Sequence, residues 1–78
     1  MSVVHAYVMV KAYTGDADDL KDEIGGIDGV ESVHIVAGDV DLIAKLSVDS
    51  PADVKDIAAT QVQNLEGVED TQTYIAME

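Results

Sequence analysis

Residues 27–31 of the chain read Ile-Asp-Gly-Val-Glu, and a related stretch, Leu-Glu-Gly-Val-Glu, returns at residues 65–69, 38 positions later. Alternating aliphatic positions return at the same offset: Val4, Ala6, Val8 and Val10 correspond to Leu42, Ala44, Leu46 and Val48. Each half has the pattern of a strand, a helix and a second strand. The repeat therefore predicts two βαβ units joined in one domain.

The first half shows the expected signals in order. Its first strand is predicted from Val3 to Ala12, where β-branched and aromatic residues are concentrated. Gly15-Asp16 ends this strand and begins a helix. The apolar positions of that helix fall on one face; they are Ala17, Leu20, Ile24 and Ile27. Gly29 marks the helix exit, and the second strand is predicted over Val30 to Ala37.

The second half starts at Gly38-Asp39, which predicts a tight turn into a third strand over Val40 to Val48. A helix start follows, with Ser50 as N-cap, Pro51 as the first helical residue and Asp53 as the third. The predicted inner face of this helix consists of Val54, Ile57, Ala58, Gln61, Val62 and Leu65. Gly67 ends the helix, and the last strand is predicted from Val68 to about Met77.

The order βαββαβ predicts an α+β, ferredoxin-like fold. Right-handed crossovers place both helices on one face of a four-stranded antiparallel sheet with strand order 4-1-3-2. Strand alternation then predicts which residues face the helices. This set is Val4, Ala6, Val8, Val10, Val33, Ile35, Leu42, Ala44, Leu46 and Val48.

The opposite, open face of the sheet is predicted to be covered by another molecule. Its residues are His5, Tyr7, Met9, Lys11, His34, Val36, Ile43, Lys45, Gln72 and Tyr74. This set has both histidines, two of the three tyrosines and no acidic residue, whereas a solvated face is mostly charged and polar. The simplest cover is the same face of a second copy, which gives a two-fold dimer. A monomer with an exposed amphiphilic face is the alternative.

Composition limits the other possibilities. A core built from 78 residues is small and often needs disulfides, metals or oligomerisation. The chain has no cysteine, which excludes disulfides and thiolate metal sites and leaves oligomerisation. Its net charge of −12, from 16 acidic residues, four lysines and no arginine, opposes nucleic-acid binding. Such an acidic, lysine-poor surface also predicts adaptation to molar salt, as in a halophilic archaeon.

The chain shows no signal peptide and no apolar run long enough to span a bilayer. We therefore expect a cytoplasmic protein with a single domain over residues 1–78. Because the first predicted strand begins close to Met1, we expect no helix-turn-helix before it.

The hairpin at residues 36–43 resembles the G-x-x-D turn of the Lrp/AsnC effector-binding domain, also called the RAM domain. Other segments fit the same family in order: Gly29-Val30, Pro51 after Asp49-Ser50, and Gly67-Val68 followed by Thr71 to Ile75. The resemblance covers nearly the whole chain and implies an oligomerising, amino-acid-sensing module of transcription regulation. It implies dimers through sheet-to-sheet contact, tetramers to octamers above them, and an amino-acid effector held between dimers near the turn.

Typical family members also carry an N-terminal helix-turn-helix, which is not found in this sequence. The chain therefore resembles a single-domain member without direct DNA binding. Such a module would bind effector alone or assemble with full-length Lrp/AsnC-type regulators.

The predicted effector site consists of Gly38, Asp39, Val40, Asp41, Thr71 and Thr73. A free amino acid needs acceptors for its ammonium, donors for its carboxylate and a pocket for its side chain. Asp41 is expected to pair with the ammonium, and N–H groups of the turn with the carboxylate. Thr71 and Thr73 would add hydroxyl groups, although strand alternation points both towards the helices. An ordinary hairpin turn is the alternative for Gly38-Asp39.

Three other functions stay open. An ACT-like amino-acid-binding domain would use the loop Tyr13-Thr14-Gly15-Asp16 and pair its sheets edge to edge. An assembly adaptor would oligomerise without a ligand. A cofactor-free dimeric-barrel enzyme would need a polar catalytic group between sheet and helices, where the sequence is almost entirely aliphatic. We expect no catalytic residue and no cofactor. We also expect no metal site, because His5 and His34 lie on strands that are not neighbours.

Overall fold

Four strands and two helical regions follow the predicted order in a computed structural model of the protein, which describes residues 3–77. The strands are β1 (Val4–Ala12), β2 (Val30–Ile35), β3 (Leu42–Val48) and β4 (Val68–Ile75). The helices are α1 (Ala17–Gly25) and α2 (Pro51–Lys55), and a π-helical segment (Asp56–Val62) continues α2. The sheet is antiparallel with the order β2-β3-β1-β4, which confirms the predicted ferredoxin-like topology. No helix within residues 3–77 is long and apolar enough to cross a membrane.

The connection between β2 and β3 differs from the prediction. β2 ends at Ile35 instead of Ala37, and β3 begins at Leu42 instead of Val40. The prediction of a tight turn at Gly38-Asp39 is therefore wrong, because residues 36–41 form a longer loop closed by a 2.9 Å bond from Val36 N–H to the Asp41 carbonyl. Asp41 N–H also donates to the Val10 carbonyl at 2.9 Å, so this residue is bonded to β1.

The core lies between the sheet and the helices and is aliphatic. Leu20 and Ile24 of α1 are buried, and Ala17 and Ile27 pack beside them, as the helical spacing predicts. Eight of the ten predicted helix-facing strand residues are buried: Ala6, Val8, Val10, Val33, Leu42, Ala44, Leu46 and Val48. Val4 is partly buried. Ile35 lies opposite the buried Leu42 and so on the helix side, as predicted, but it is 45% exposed, because it ends an edge strand with a neighbouring strand on one side only.

The second helical region begins as predicted and then changes its pitch. The Ser50 hydroxyl accepts the Asp53 N–H at 3.3 Å, which confirms the N-cap. Farther along, Gln63 N–H donates to the Ala58 carbonyl at 3.3 Å, the five-residue spacing of a π-helix. Gln61 is exposed instead of lying on the inner face, and its amide donates to the Asp56 carboxylate at 3.0 Å. The inner face is formed by Val54, Ile57, Ala58 and Val62, with Leu65 partly buried.

The internal repeat is visible in the backbone. Gly29 and Gly67 both have φ +99, a conformation that favours glycine. A Cβ at Gly29 would lie 2.8 Å from Ile57 Cδ1 and 2.9 Å from Val48 Cγ1, so a larger residue would force these side chains to shift. Tyr7 pairs with Lys45 across the central strands, and these residues are 38 positions apart. The approximate two-fold axis that relates the two halves therefore passes through this pair.

Candidate functional site

A cleft of about 250 Å³ lies where loop 36–41 meets β1 and β4. It is lined by Met9, Lys11, Asp39, Val40, Asp70, Thr71 and Gln72. Three of the predicted effector residues line this cleft together. Asp39 and Val40 come from the loop, and Thr71 comes from β4, which is distant in sequence. The cleft combines one cationic, two anionic and two apolar side chains.

The register between β1 and β4 positions the open-face side of this cleft. Lys11 lies opposite Asp70, and Met9 lies opposite Gln72. Residues directly opposite in an antiparallel pair have Cβ atoms about 5 Å apart and point to the same face. A register shift between Lys11 and Ala12 ends the regular pairing beside the cleft. Such bulges bend the strand locally, and they are common next to binding sites.

Asp41 anchors the loop to β1. Its Oδ2 accepts the Ala12 N–H at 2.8 Å, and its own N–H donates to the Val10 carbonyl at 2.9 Å. The side-chain bond joins residues that are 29 positions apart in the chain. Gly38 is exposed in the same loop, and a Cβ there would meet nothing within 4 Å. The pairing of Asp41 with an ammonium group stays a prediction.

The two threonines have different surroundings. Thr71 lies opposite Val10 and Thr73 opposite Val8, so both are on the helix side, as strand alternation predicts. Thr73 lines a second, more apolar groove of about 430 Å³ between the second helical region and β4. Thr71 borders both concave regions, and its hydroxyl donates to Gln63 Oε1 at 3.4 Å. Thr73 is therefore separated from the cleft.

A third concave region, of about 390 Å³, lies at the other end of the sheet. Its acidic side chains are Asp28, Asp49, Asp53 and Asp56. It shares no residue with the cleft at loop 36–41. Its aspartates carry the same charge as those of the cleft, so their substitution can serve as a control for substitutions at the cleft.

Sequence reasoning misses four residues of the cleft. The pattern assigns Met9, Lys11 and Gln72 to the dimer face alone, and it gives Asp70 no role. Asp70 has the same strand parity as Gln72 and Tyr74, so alternation along β4 is the signal that could have found it. The proximity of loop 36–41 to this strand has no comparable signal in a single sequence.

The open face is less free of acids than predicted. Asp70 lies on it opposite Lys11, and Glu31 Oε2 lies 3.5 Å from Lys45 Nζ, with both side chains about half exposed. Glu31 reaches this face because the β2–β3 register shifts between Val30 and Ser32. Val36 lies in the loop, where strand alternation does not apply. The prediction of an acid-free face is therefore wrong, because Asp70 and Glu31, both on edge strands, lie on it beside a lysine.

Around Lys45, which lies opposite Tyr7 on the central strands, the open face also carries a group of uncharged aromatic and apolar side chains. Tyr7 lies opposite Tyr74, and Met9 opposite Ile43. Tyr7 is 37% exposed and Tyr74 is 54% exposed. Exposed aromatic and apolar residues grouped on one surface are typical of protein interfaces.

The histidines are on this face without being close to each other. His5 on β1 lies opposite Ser47 and His34 on β2 lies opposite Ile43, with β3 between the two strands. Within the described part of the chain, no three side chains of the metal-binding types cluster.

Comparisons with known proteins agree with this architecture. The family described as Lrp/AsnC ligand binding domain matches residues 5–78. The leucine-responsive regulatory protein of Haemophilus influenzae is 28% identical over 76 residues, covering 97% of this chain and 46% of that protein. The chain thus spans about half the length of that curated relative.

Solved structures show the same fold. TTHA0845 from Thermus thermophilus has 27% identity and a TM-score of 0.92, covering 96% of this chain and 94% of that chain. The transcriptional regulator NMB0573 of Neisseria meningitidis, solved as a complex with L-Met, has 17% identity and a TM-score of 0.84. That match covers 96% of this chain and 50% of that chain. On the family match, the chain belongs to the Lrp/AsnC ligand-binding domain family, the regulatory domain of transcription regulators.

Proposed function

We propose that this domain senses a free amino acid in the cleft at loop 36–41. The observation that carries the proposal is the composition of the cleft, which places Lys11 beside Asp70, Asp39 and the apolar Met9 and Val40. The structure of NMB0573 with L-Met shows that a regulator of the same fold is found with an amino acid. The family match supports a proposed role in the regulation of amino-acid metabolism.

The cleft offers partners for each part of an amino acid. The Lys11 ammonium would bind the α-carboxylate, and a cleft carboxylate would bind the α-ammonium. Met9 and Val40 would contact the aliphatic part of the side chain. Thr71 and the N–H groups of the loop would supply further polar contacts. The exposed Gly38 would let a ligand approach the loop backbone closely, while Asp41 holds the loop to β1.

We propose that binding is coupled to assembly through the open face. The aromatic and apolar side chains around Tyr7 and Tyr74 would pair with the same face of a second copy, and such dimers would form tetramers to octamers. Met9, Lys11 and Gln72 border both this face and the cleft. A second copy on the open face would therefore stand beside the cleft, so that ligand occupancy and assembly influence each other. Full-length regulators of the family are alternative partners on the same surface.

We propose further that the domain is neither an enzyme nor a direct DNA-binding unit and acts in the cytoplasm. Among residues 3–77, no polar or charged residue is buried between sheet and helices, where a dimeric-barrel enzyme would hold its catalytic group. The net charge of −12 opposes contact with a phosphate backbone.

The acidic composition supports a proposal of adaptation to high salt, as in a halophilic organism. Screening shortens the range of self-repulsion from roughly 10 Å at 0.1 M to 3 Å at 1 M salt. We expect the midpoint of thermal unfolding to rise continuously as potassium chloride is increased from about 0.1 to 2 M. A midpoint that stays constant or falls would contradict salt adaptation and leave amino-acid sensing unaffected.

The test of amino-acid sensing is thermal unfolding in molar potassium chloride against each of the twenty amino acids at millimolar concentration. A ligand at 100 times its Kd adds about 2.7 kcal/mol of stability. This should raise the midpoint by roughly 10 °C in a domain of this size. Lys11→Met should abolish the shift, whereas Lys21→Met, on the exposed side of α1, should preserve it. If oligomers persist and none of the twenty shifts the midpoint, the domain is an assembly adaptor.

A further inference from the structure

We propose that the cleft selects an amino acid whose side chain carries a second positive charge, that is, a diamino monocarboxylic acid. The inference rests on the proposed function, because it concerns the ligand class of the same cleft. It starts from the charges that the fold collects there. Of the seven lining residues, Lys11, Asp39 and Asp70 are charged and the other four are neutral.

A neutral amino acid complements only two of these three charges. Its carboxylate pairs with Lys11 and its ammonium with one aspartate, which leaves the other carboxylate beside the ligand without a cation. A carboxylate that loses water without gaining a partner is unfavourable. A ligand with two positive groups and one negative group complements all three residues.

The register indicates which aspartate binds which group. Lys11 and Asp70 are direct cross-strand neighbours, with Cβ atoms about 5 Å apart. The α-carboxylate and α-ammonium are attached to one carbon, so they need neighbouring partners of opposite charge. Asp70 Oδ1 accepts the Thr71 N–H at 2.9 Å, which leaves Oδ2 for the ligand. Lys11 and Asp70 therefore bind the head group.

Asp39 then remains for the ligand side chain. The loop contains two aspartates, and Asp41 already accepts the Ala12 N–H. The Asp39 side chain is exposed and makes no hydrogen bond or ion pair with any residue in the range 3–77. An aspartate that the fold does not use, at the border of the cleft, is suited to a cationic side chain.

The cleft also fits the size of this ligand class. Its volume of about 250 Å³ lies below the range of roughly 300–1,000 Å³ typical of pockets for drug-sized ligands. Met9 and Val40 provide apolar contacts for the methylene groups between the two ammonium groups. The geometry thus suits a single short chain that is charged at both ends.

Titration calorimetry with L-lysine and L-norleucine tests the inference, because norleucine is the same chain without the terminal ammonium. We expect lysine to bind at least tenfold more tightly to the unmodified protein. Asp39→Asn should lower lysine affinity to about that of norleucine and leave norleucine binding unchanged. Asp70→Asn should weaken both ligands together. Asp49→Asn removes an equal charge outside the cleft and should keep the tenfold preference.

The outcomes separate this inference from the proposed function. If norleucine or another neutral amino acid binds as tightly as lysine, amino-acid sensing stands and the cationic class is excluded. If Asp39→Asn keeps the preference for lysine, or Asp49→Asn removes it, the preference comes from overall charge and the assignment to Asp39 is overturned. If no amino acid binds at all, the proposed function fails together with this inference.

Discussion

Strand β3 belongs to two very different surfaces, and its residues alternate between them. Leu42, Ala44, Leu46 and Val48 are buried under the helices, whereas Ile43, Lys45 and Ser47 on the open face are only partly buried. The residues of the helix-covered face that are buried are aliphatic and are covered within one chain. The open face combines uncharged aromatic and apolar side chains with two lysine–acid neighbours, and it has a cleft at one end. The first face therefore determines whether the domain folds, and the second is the proposed surface for partners and ligands.

The largest expected effect compares the two faces directly. Leu46→Ala should lower the free energy of unfolding by about 2–5 kcal/mol, because Leu46 is fully buried and its loss leaves a cavity. Urea unfolding followed by circular dichroism measures this change. Ile43→Ala, three positions before Leu46 and on the opposite face, should cost less at low protein concentration, because Ile43 is only partly buried.

Measuring the same two variants at higher protein concentration tests whether a second copy covers the open face. If a second copy covers the open face, the cost of Ile43→Ala should grow with concentration, because the dimer is then part of the folded state. The cost of Leu46→Ala relative to the unmodified protein should stay nearly constant. Equal costs for the two variants at low concentration would contradict the difference between the faces.

The second effect concerns Gly29, whose backbone lies close to the side chain of Ile57. Gly29→Ala should cost about 2–4 kcal/mol, because the new Cβ would lie 2.8 Å from Ile57 Cδ1 and the backbone conformation is strained for alanine. Gly15→Ala is a matched control, since Gly15 has φ +90 and no atom within 4 Å of the added Cβ. It should cost only about 1–2 kcal/mol. Denaturant unfolding measures the loss of free energy of unfolding in both variants, and the difference between the two losses is the steric cost of the Cβ at Gly29. Equal losses would show that there is no such steric cost.

The third effect tests the open face as an interface. Tyr7→Ser should weaken self-association at least tenfold, or about 1.4 kcal/mol, because a central aromatic residue commonly contributes strongly to an interface. Sedimentation equilibrium measures this change. Tyr13→Ser removes a tyrosine that is 55% exposed outside the open face and should leave association unchanged. A larger effect at Tyr13 would place the interface elsewhere.

The smallest effect separates the two aspartates of the loop. Asp41→Ala should cost about 1–3 kcal/mol, because the Ala12 N–H loses its charged acceptor. Asp39→Ala should change stability by less than about 0.5 kcal/mol, as is usual for an exposed residue without such contacts. Thermal unfolding without ligand measures both. A larger loss at Asp39 would show that this residue also has a structural role.

Elements defined by local patterns were predictable from the sequence. The apolar spacing of α1, the cap at Ser50 and the alternation along β1 and β3 are all confirmed, since each depends on neighbouring residues. The π-helical segment was not predictable in the same way. Burial of Ile57, Ala58 and Val62 suits α-helical and π-helical spacing alike, and only Gln61 reveals the difference by its exposure.

The cleft was predictable only in part. Its loop was identified through Asp39 and Val40, but the contacts of that loop with β1 and β4 depend on tertiary structure. The bond from Ala12 N–H to Asp41 and the register shifts in two strand pairs have no signature in local sequence. These shifts bring Glu31 beside Lys45 and end the regular pairing at Lys11. The sequence therefore pointed to this loop, whose role in binding stays a prediction, and it indicated the composition of the loop's surroundings incompletely.

The approximate two-fold axis through Tyr7 and Lys45 has a consequence for stoichiometry. Rotation about this axis exchanges the β2–β3 edge pair with the β4–β1 edge pair, so the counterpart of loop 36–41 would have to join β4 to β1. The structure has the two ends of the sheet-forming chain there instead, with Ala76 N–H bonded to the His5 carbonyl at 2.8 Å. A duplicated framework thus carries loop 36–41 only once among residues 3–77. If this loop forms the effector site as proposed, each protomer should saturate at one equivalent of effector, however many copies assemble.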